Sequence, residues 1–357
     1  MKIIFLSHTA DFGNFKVGSH HLAREFSKMG HEVLHISTPI SFPQVITKKS
    51  ERNRIELSKK DHFIDDFGVI HIVHILPVPL RIASQKMILS KLLKSDGIED
   101  ADVVLVDQPL FASVFSKINL KGVLIYRPTD VYDKGIMEIR QRELLQKVDG
   151  IIATSNVVLK QLKIEINLPT VVVENGVEFE RFYSNNKKVR NGVVYVGSLD
   201  SRFDWKSLKI MAEYNPVIPF YIYGPIEMKL PVLPDNVHIM GKIDYKNIPE
   251  VLNNSKIGLL PFTKNILNEG RSPMKFYEYL ASGLYILASD TQSIQERKAP
   301  GVICYNEYYE IENKLDSLLK KEDFNYKGIK FAKLKSWENK TNDILEFIEK
   351  NFFNNYS

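Results

Sequence analysis

The stretch RSPMKFYEYLASG, Arg271 to Gly283, holds residue types that can act on an anion. Ser272 is placed to cap a helix and Pro273 to take its first position. Open N–H groups and the helix dipole favour negative charge at such a mouth, from Ser272 through the Met274 amide. Lys275 puts a cation in the first turn, where a plain helix prefers an acid; a bound phosphate would account for it. Glu278 is three residues on, on the same face and about one turn deeper. Together they match a nucleoside diphosphate, with Lys275 on phosphate and Glu278 on ribose hydroxyls. The same spacing serves equally for a Lys275–Glu278 ion pair on a surface helix.

The elements around this stretch set what it can do. The chain has 357 residues, enough for two domains. With 44% hydrophobic and 25% charged residues it reads as globular, the Asn-rich tail FFNNYS excepted. A lone cysteine, Cys304, excludes an intrachain disulfide and a multi-cysteine metal site, and fits a reducing compartment. The N-terminal MKIIFLS has too short an apolar run for a signal peptide and reads as a buried strand. No apolar stretch has the length of a spanning helix, so a soluble or membrane-peripheral, cytoplasmic protein is expected. A net charge of +5 fits a slightly basic surface, or a basic patch facing an anionic substrate or membrane.

Apolar runs alternate with helical stretches along both halves. In the first half they are KIIFLS, HEVLHIST, GVIHIVHI, ADVVLVD, GVLIYRP, DGIIATS and TVVVEN. The polar stretch Tyr183–Gly192 reads as a linker. The pattern restarts with GVVYVGS, PFYIYGP, NVHIMGK, SKIGLLPF, LYILASD and GVICYN. This predicts an α/β fold of two doubly wound, Rossmann-like domains facing across a central cleft, over 1–184 and 189–336. The last stretch reads as an amphipathic helix with Ile344, Phe347, Ile348 and Phe352 on one face, expected to pack back on the first domain over 337–357. Ligands of such sheets bind past the carboxyl ends of the strands, at the switch point.

SPMKFYEYLASGLYILAS resembles the donor-binding helix of GT-B glycosyltransferases, matching at Pro273, Lys275, Glu278, Tyr279, Ala281 and Gly283. VENGVEFERF is similar to another family segment, with Glu178 where Asp is common. VVYVGSLDSRFDWKSL resembles the glycine loop that opens the second domain, and FYIYGP and NVHIMGKIDYKNIPEVLNNSKIGLLPF follow in family order. Within this superfamily the likeness is to bacterial polysaccharide transferases, of the xanthan glucuronosyltransferase and teichuronic acid types and of retaining family 4. The resemblance implies transfer of a sugar from a nucleotide sugar, by default a UDP sugar, without a metal or other cofactor. Family-4 enzymes usually carry two glutamates with seven residues between them; Glu269 and Glu278 have eight. That departure favours an inverting reading over a retaining one.

An inverting transferase needs a base for the acceptor hydroxyl and charge stabilisation for the leaving diphosphate. Asp130, in LIYRPTDVYDKG after a first-domain strand, is the candidate base; related enzymes keep an Asp in this segment. Thr129 and Asp130 would also serve as helix caps, Asp133 is the fallback, and His20 or His21 could act unless packed into the helix. Lys275, the amides after Ser272 and Arg202 are assigned to the leaving group. Gly197 belongs to the glycine loop, and Tyr223, Gly224, Lys242 and Ile243 are placed at the base pocket by position. Gly13, Gly18, Ser19 and His20 lie on a loop expected over the cleft, without the G-x-G-x-x-G of dinucleotide binding.

Residues 80–95, LRIASQKMILSKLLKS, form a basic amphipathic stretch that can rest on an anionic membrane or pack on the sheet. The resemblance implies a saccharide acceptor, lipid-linked in the related enzymes, which such docking at the inner face of the cell membrane would serve. A nucleotide-sugar epimerase on the same fold and a non-catalytic sugar-nucleotide binding protein are the other readings. Nucleic acid is not expected, since the basic residues are spread and nearly balanced.

Overall fold

A computed structural model describes residues 1–9, 16–47, 52–79, 85–130, 132–164, 167–184 and 189–353. The chain forms two compact units: Met1–Glu174 with Lys340–Ser357, and Asn175–Asn339.

The first unit is an eight-stranded sheet: β1 (Lys2–Ser7), β2 (Glu32–Ser41), β3 (Phe63–Ile64), β4 (Ile70–Leu76), β5 (Val103–Val106), β6 (Val123–Tyr126), β7 (Gly150–Ala153) and β8 (Thr170–Val172). Its order is β3-β4-β2-β1-β5-β6-β7-β8, parallel except for β3 against β4. Successive residues Ile3 to Leu6 are all buried, so both faces of the central strand are covered. The helix Gly18–Lys28 buries Leu22, Ala23 and Phe26, and the helix Gln85–Ser95 buries Leu89 and Leu93. In the terminal helix Trp337–Ile348, Ile344, Phe347 and Ile348 are buried. Beyond it, the Phe352 ring comes so near Gly150 that a Cβ there would lie 2.8 Å from it.

The second unit is a six-stranded parallel sheet: β9 (Val193–Val196), β10 (Phe220–Tyr223), β11 (Val237–Gly241), β12 (Ile257–Leu260), β13 (Tyr285–Ser289) and β14 (Val302–Tyr305). Its order is β11-β10-β9-β12-β13-β14. One face packs on the helix Met274–Ala281 through Phe276, Tyr279 and Leu280. The other packs on the helices Trp205–Tyr214 and Ile311–Leu319 through Leu208, Met211 and Leu315. Phe179 and Phe182 join the first of these cores, so the units divide at Glu174, ahead of the polar stretch that begins at Tyr183.

Every apolar run named from the sequence forms a strand; β3, two residues long, was not among them. The chain reverses its direction across the sheet at β1, flanked by β2 and β5, and at β9, flanked by β10 and β12. Crevices at such switch points receive ligands in doubly wound sheets. Among the described residues no helix is long and apolar enough to cross a membrane.

Candidate active site

At the switch point of the second unit, Gly197 directly follows β9 and Gly224 directly follows β10. The two backbones touch: a Cβ on Gly224 would lie 1.8 Å from the Gly197 carbonyl oxygen. That approach is closed to any other residue. Gly197 N–H donates to the Tyr223 carbonyl at 2.9 Å, and Gly224 N–H to the Gly241 carbonyl at 2.7 Å. Lys275 reaches over this loop; a Cβ on Gly197 would meet its Nζ at 2.0 Å. Its ammonium donates to the Tyr195 hydroxyl at 3.1 Å and sits 4.2 Å from that ring's centroid. The Tyr195 hydroxyl in turn donates to the Ser198 carbonyl at 2.9 Å. Burial pushes the Lys275 ammonium down to about 7, with Arg271 and Arg202 adding to the fall and Glu278 and Asp200 opposing it.

Glu278 is buried one turn deeper, and burial with Glu178 nearby pushes its carboxyl up to about 7 against Lys275, Tyr245 and Arg181. No ion pair joins Lys275 to Glu278, so the surface-pair alternative is not realised: Lys275 faces Tyr195 and Glu278 faces Tyr245. A phosphate at the mouth would draw the proton onto Lys275, and a hydroxyl donor would favour ionised Glu278.

The cap differs from expectation. The helix runs Met274–Ala281 with Pro273, not Ser272, at the N-cap. Ser272 Oγ instead accepts the Asn175 N–H at 3.1 Å, and its carbonyl accepts from Asn175 Nδ2 at 2.6 Å. Asn175 thereby takes the hydroxyl that would have capped the helix. No side chain caps the helix, whose first amides belong to Met274 and Lys275.

Arg202 is engaged by Asp200, its Nε donating to Oδ1 at 3.0 Å and Nη2 to Oδ2. Tyr223 is half-buried, its hydroxyl pushed up by burial. Lys242 is exposed and Ile243 packs against the core beneath the Met274–Ala281 helix. Glu269 Oε2 accepts the Gln292 N–H at 3.1 Å.

In the first unit, Asp130 is exposed just past β6. It accepts from Thr129 Oγ1 at 3.3 Å, and Thr129 Oγ1 lies 3.4 Å from His8 Nε2. Asp130 caps no helix, because the next one starts at Gly135 with Lys134 as its N-cap. Asp133 is also exposed. Gly18, Ser19 and His20 open the Gly18–Lys28 helix and are buried. His20 Nδ1 accepts the Val17 N–H at 3.2 Å, and Nε2 lies 2.9 Å from the Thr9 carbonyl. With both ring nitrogens engaged, His20 is a packed helix residue, not a free base. Gly13 lies outside the described residues. Behind these, Arg127 pairs with Asp107 through two buried hydrogen bonds of 2.8 Å.

Sequence reading did not single out Tyr195, Tyr245 or His8. Tyr195 was the accessible one: an aromatic hydroxyl two residues before Gly197 in an otherwise Val-only strand.

Residues 206–329 match the family model described as glycosyl transferase-like. The chain is 26% identical over 204 residues to TuaH of Bacillus subtilis (strain 168), which carries the name of a teichuronic acid biosynthesis glycosyltransferase. That match takes in 52% of this chain and 50% of the relative, so the alignment spans half of the curated protein. Among solved structures, sucrose-phosphate synthase from Thermosynechococcus elongatus superposes with a TM-score of 0.74 at 14% identity, over 98% of each chain. Anabaena HepE in complex with UDP and glucose gives 0.72 at 13% identity, over 98% of this chain and 99% of that one. The chain thus has the GT-B fold, with a glycosyl transferase-like segment at residues 206–329.

Proposed function

We propose that the protein transfers a sugar from a nucleoside diphosphate sugar, UDP-linked, to a saccharide acceptor in the synthesis of a cell-surface polysaccharide. The observation that carries this is Lys275 Nζ, held over Gly197 beside the uncapped first turn of the Met274–Ala281 helix at a sheet switch point. A diphosphate there would meet a cation and the amides of Met274 and Lys275. Glu278, deeper on the same helix, would accept the ribose hydroxyls. UDP as carrier is supported by HepE, solved with UDP and with UDP-glucose. The polymer is supported by the likeness to TuaH.

In this reading the reaction inverts the anomeric carbon and uses no metal. The acceptor oxygen forms a bond to that carbon, and the bond from carbon to the diphosphate oxygen breaks. Asp130, the exposed carboxylate past β6, takes the acceptor's proton. The electron pair leaves with UDP, whose charge Lys275 and the helix amides offset. Arg202 stays on Asp200 until a phosphate competes for it.

The test is release of UDP from a panel of UDP sugars with and without saccharide acceptors. Acceptor-dependent release from the wild type, lost in Asp130→Ala with UDP binding intact, is expected. Acceptor-independent conversion of the donor would sink the transferase, and a fully active Asp130→Ala would remove that residue as base.

A lipid-linked acceptor at the inner membrane face belongs to the same proposal. The helix Gln85–Ser95 turns Leu89 and Leu93 to the sheet while Met87, Ile88, Lys91 and Lys94 are exposed; residues 80–84 of the basic stretch lie outside the described residues. Apolar and basic side chains on one exposed helix suit an anionic bilayer. The protein is expected to float with anionic liposomes at low salt, and its absence from the lipid fraction would contradict this.

A further inference from the structure

We infer that Tyr245 is a positioning residue whose single hydroxyl proton is contested by two carboxylates, Glu178 and Glu278, so that Glu178 tunes how well Glu278 can accept the hydroxyls of a bound nucleotide. The inference rests on the reading of Glu278 as a ribose contact.

Three separate segments bring these groups together. Glu178 stands at the N-cap of the short helix Phe179–Phe182, Tyr245 opens the turn Tyr245–Asn247 after β11, and Glu278 lies on the Met274–Ala281 helix. The Tyr245 hydroxyl donates to Glu178 Oε2 at 3.1 Å and lies 3.5 Å from Glu278 Oε1. The first is an ordinary hydrogen bond and the second is at the limit of one. A phenol has one proton to give, so a full bond to one carboxylate weakens that to the other.

The surroundings fix the Tyr245 ring. The Phe182 ring packs on it at 5.9 Å, and the Arg181 guanidinium lies 5.0 Å from its centroid. Arg181 also pairs with Glu178 at 2.7 Å, which holds that carboxylate in its competing position. The charged groups around Glu278 are therefore Lys275 on its own helix, and Glu178 and Arg181 from the Phe179–Phe182 helix. The helix Tyr326–Lys333, which also packs on Met274–Ala281, brings Lys333, whose Nζ lies 5.9 Å over the Phe179 ring. Burial, with Glu178 adding to it, raises the Glu278 carboxyl to about 7, against the lowering by Lys275, the Tyr245 hydrogen bond and Arg181. A protonated Glu278 loses acceptor capacity towards ribose hydroxyls, and a shift of this balance by one unit is about a tenfold change in its ratio of ionised to protonated form.

Two substitutions move the balance in opposite directions. Tyr245→Phe removes the donor and leaves the buried Glu278 facing the half-buried Glu178 without a shared hydroxyl, so Glu278 holds its proton to higher pH. Glu178→Gln removes the competing charge and leaves only a weaker, neutral amide acceptor, so the hydroxyl favours Glu278; it also releases Arg181 from its ion pair, so Glu278 ionises at lower pH. Carbonyl-carbon NMR of the glutamate-labelled full chain reads this without any ligand. The Glu278 titration should move up by about one unit in Tyr245→Phe and down in Glu178→Gln. Calorimetric titration with UDP at pH 6 should then show affinity falling roughly tenfold in the first variant and rising in the second, with the gap closing by pH 9. Equal shifts of one sign in both variants, or no shift in the NMR titration, overturn the inference. NMR shifts of opposite sign with unchanged UDP affinity instead overturn the role of Glu278 in nucleotide binding, and the inference with it. A merely structural Tyr245 would lower thermal stability without moving either pH profile.

Discussion

At the residue scale, the site holds a cation and an acid where burial disfavours their charged forms. The unfolded chain protonates Lys275 below about 10.5 and the folded chain only below about 7. Between these values the unfolded state holds the extra proton, so stability rises with pH, and the full cost is present below 7. Glu278 runs the other way. Its folded value of about 7 lies above the ordinary 4.5, so its cost is absent below 4.5 and complete above 7. Lys275→Met should therefore raise the melting temperature of the ligand-free protein at pH 6, by the equivalent of about 1 kcal/mol or more, with the gain fading towards pH 10. Glu278→Gln should do so at pH 8 and not at pH 4.5. Melting curves at pH 4.5, 6, 8 and 10 check both, and a loss of stability in both variants at every pH would show ordinary structural roles. The trade is the one expected of groups kept for a ligand rather than for the fold.

At the element scale, the strand ends carry the site. Gly197 and Gly224 let two loops lie backbone against backbone, so that Lys275 can cross them. Gly224→Ala would drive a Cβ into the Gly197 carbonyl and should cost roughly 2 kcal/mol or more in urea unfolding, while weakening UDP binding. A variant as stable and as tight as the wild type would show that the contact gives way freely. The strands were legible because Val, Ile and Leu runs covered on both faces leave a continuous apolar signal, as in VVLV of β5. The two-residue β3 leaves no such signal. Ser272 was misplaced as the cap because its partner, Asn175, is 97 positions away and nothing local announces it. The same distance hid Tyr195 from Lys275, 80 positions on, and Tyr245 from both glutamates. Pattern reading finds periodic elements and local spacing; it does not find side chains that meet only once the sheet is built.

At the scale of the whole molecule, the proposed function draws on residues of both units. One places Lys275 and Glu278 at the β9 switch point, and the other holds Asp130 past β6. Donor binding in the proposed function belongs to the second unit alone, and transfer needs both. The central claim is that a nucleoside diphosphate binds at the mouth of the Met274–Ala281 helix through Lys275. Calorimetric titration of UDP into the full chain and into Lys275→Ala tests it most directly. The account predicts saturable binding by the wild type and a dissociation constant at least about tenfold higher in the variant, the loss of a charge-assisted contact. A wild type that takes up no UDP, or a variant that binds it equally well, would contradict it.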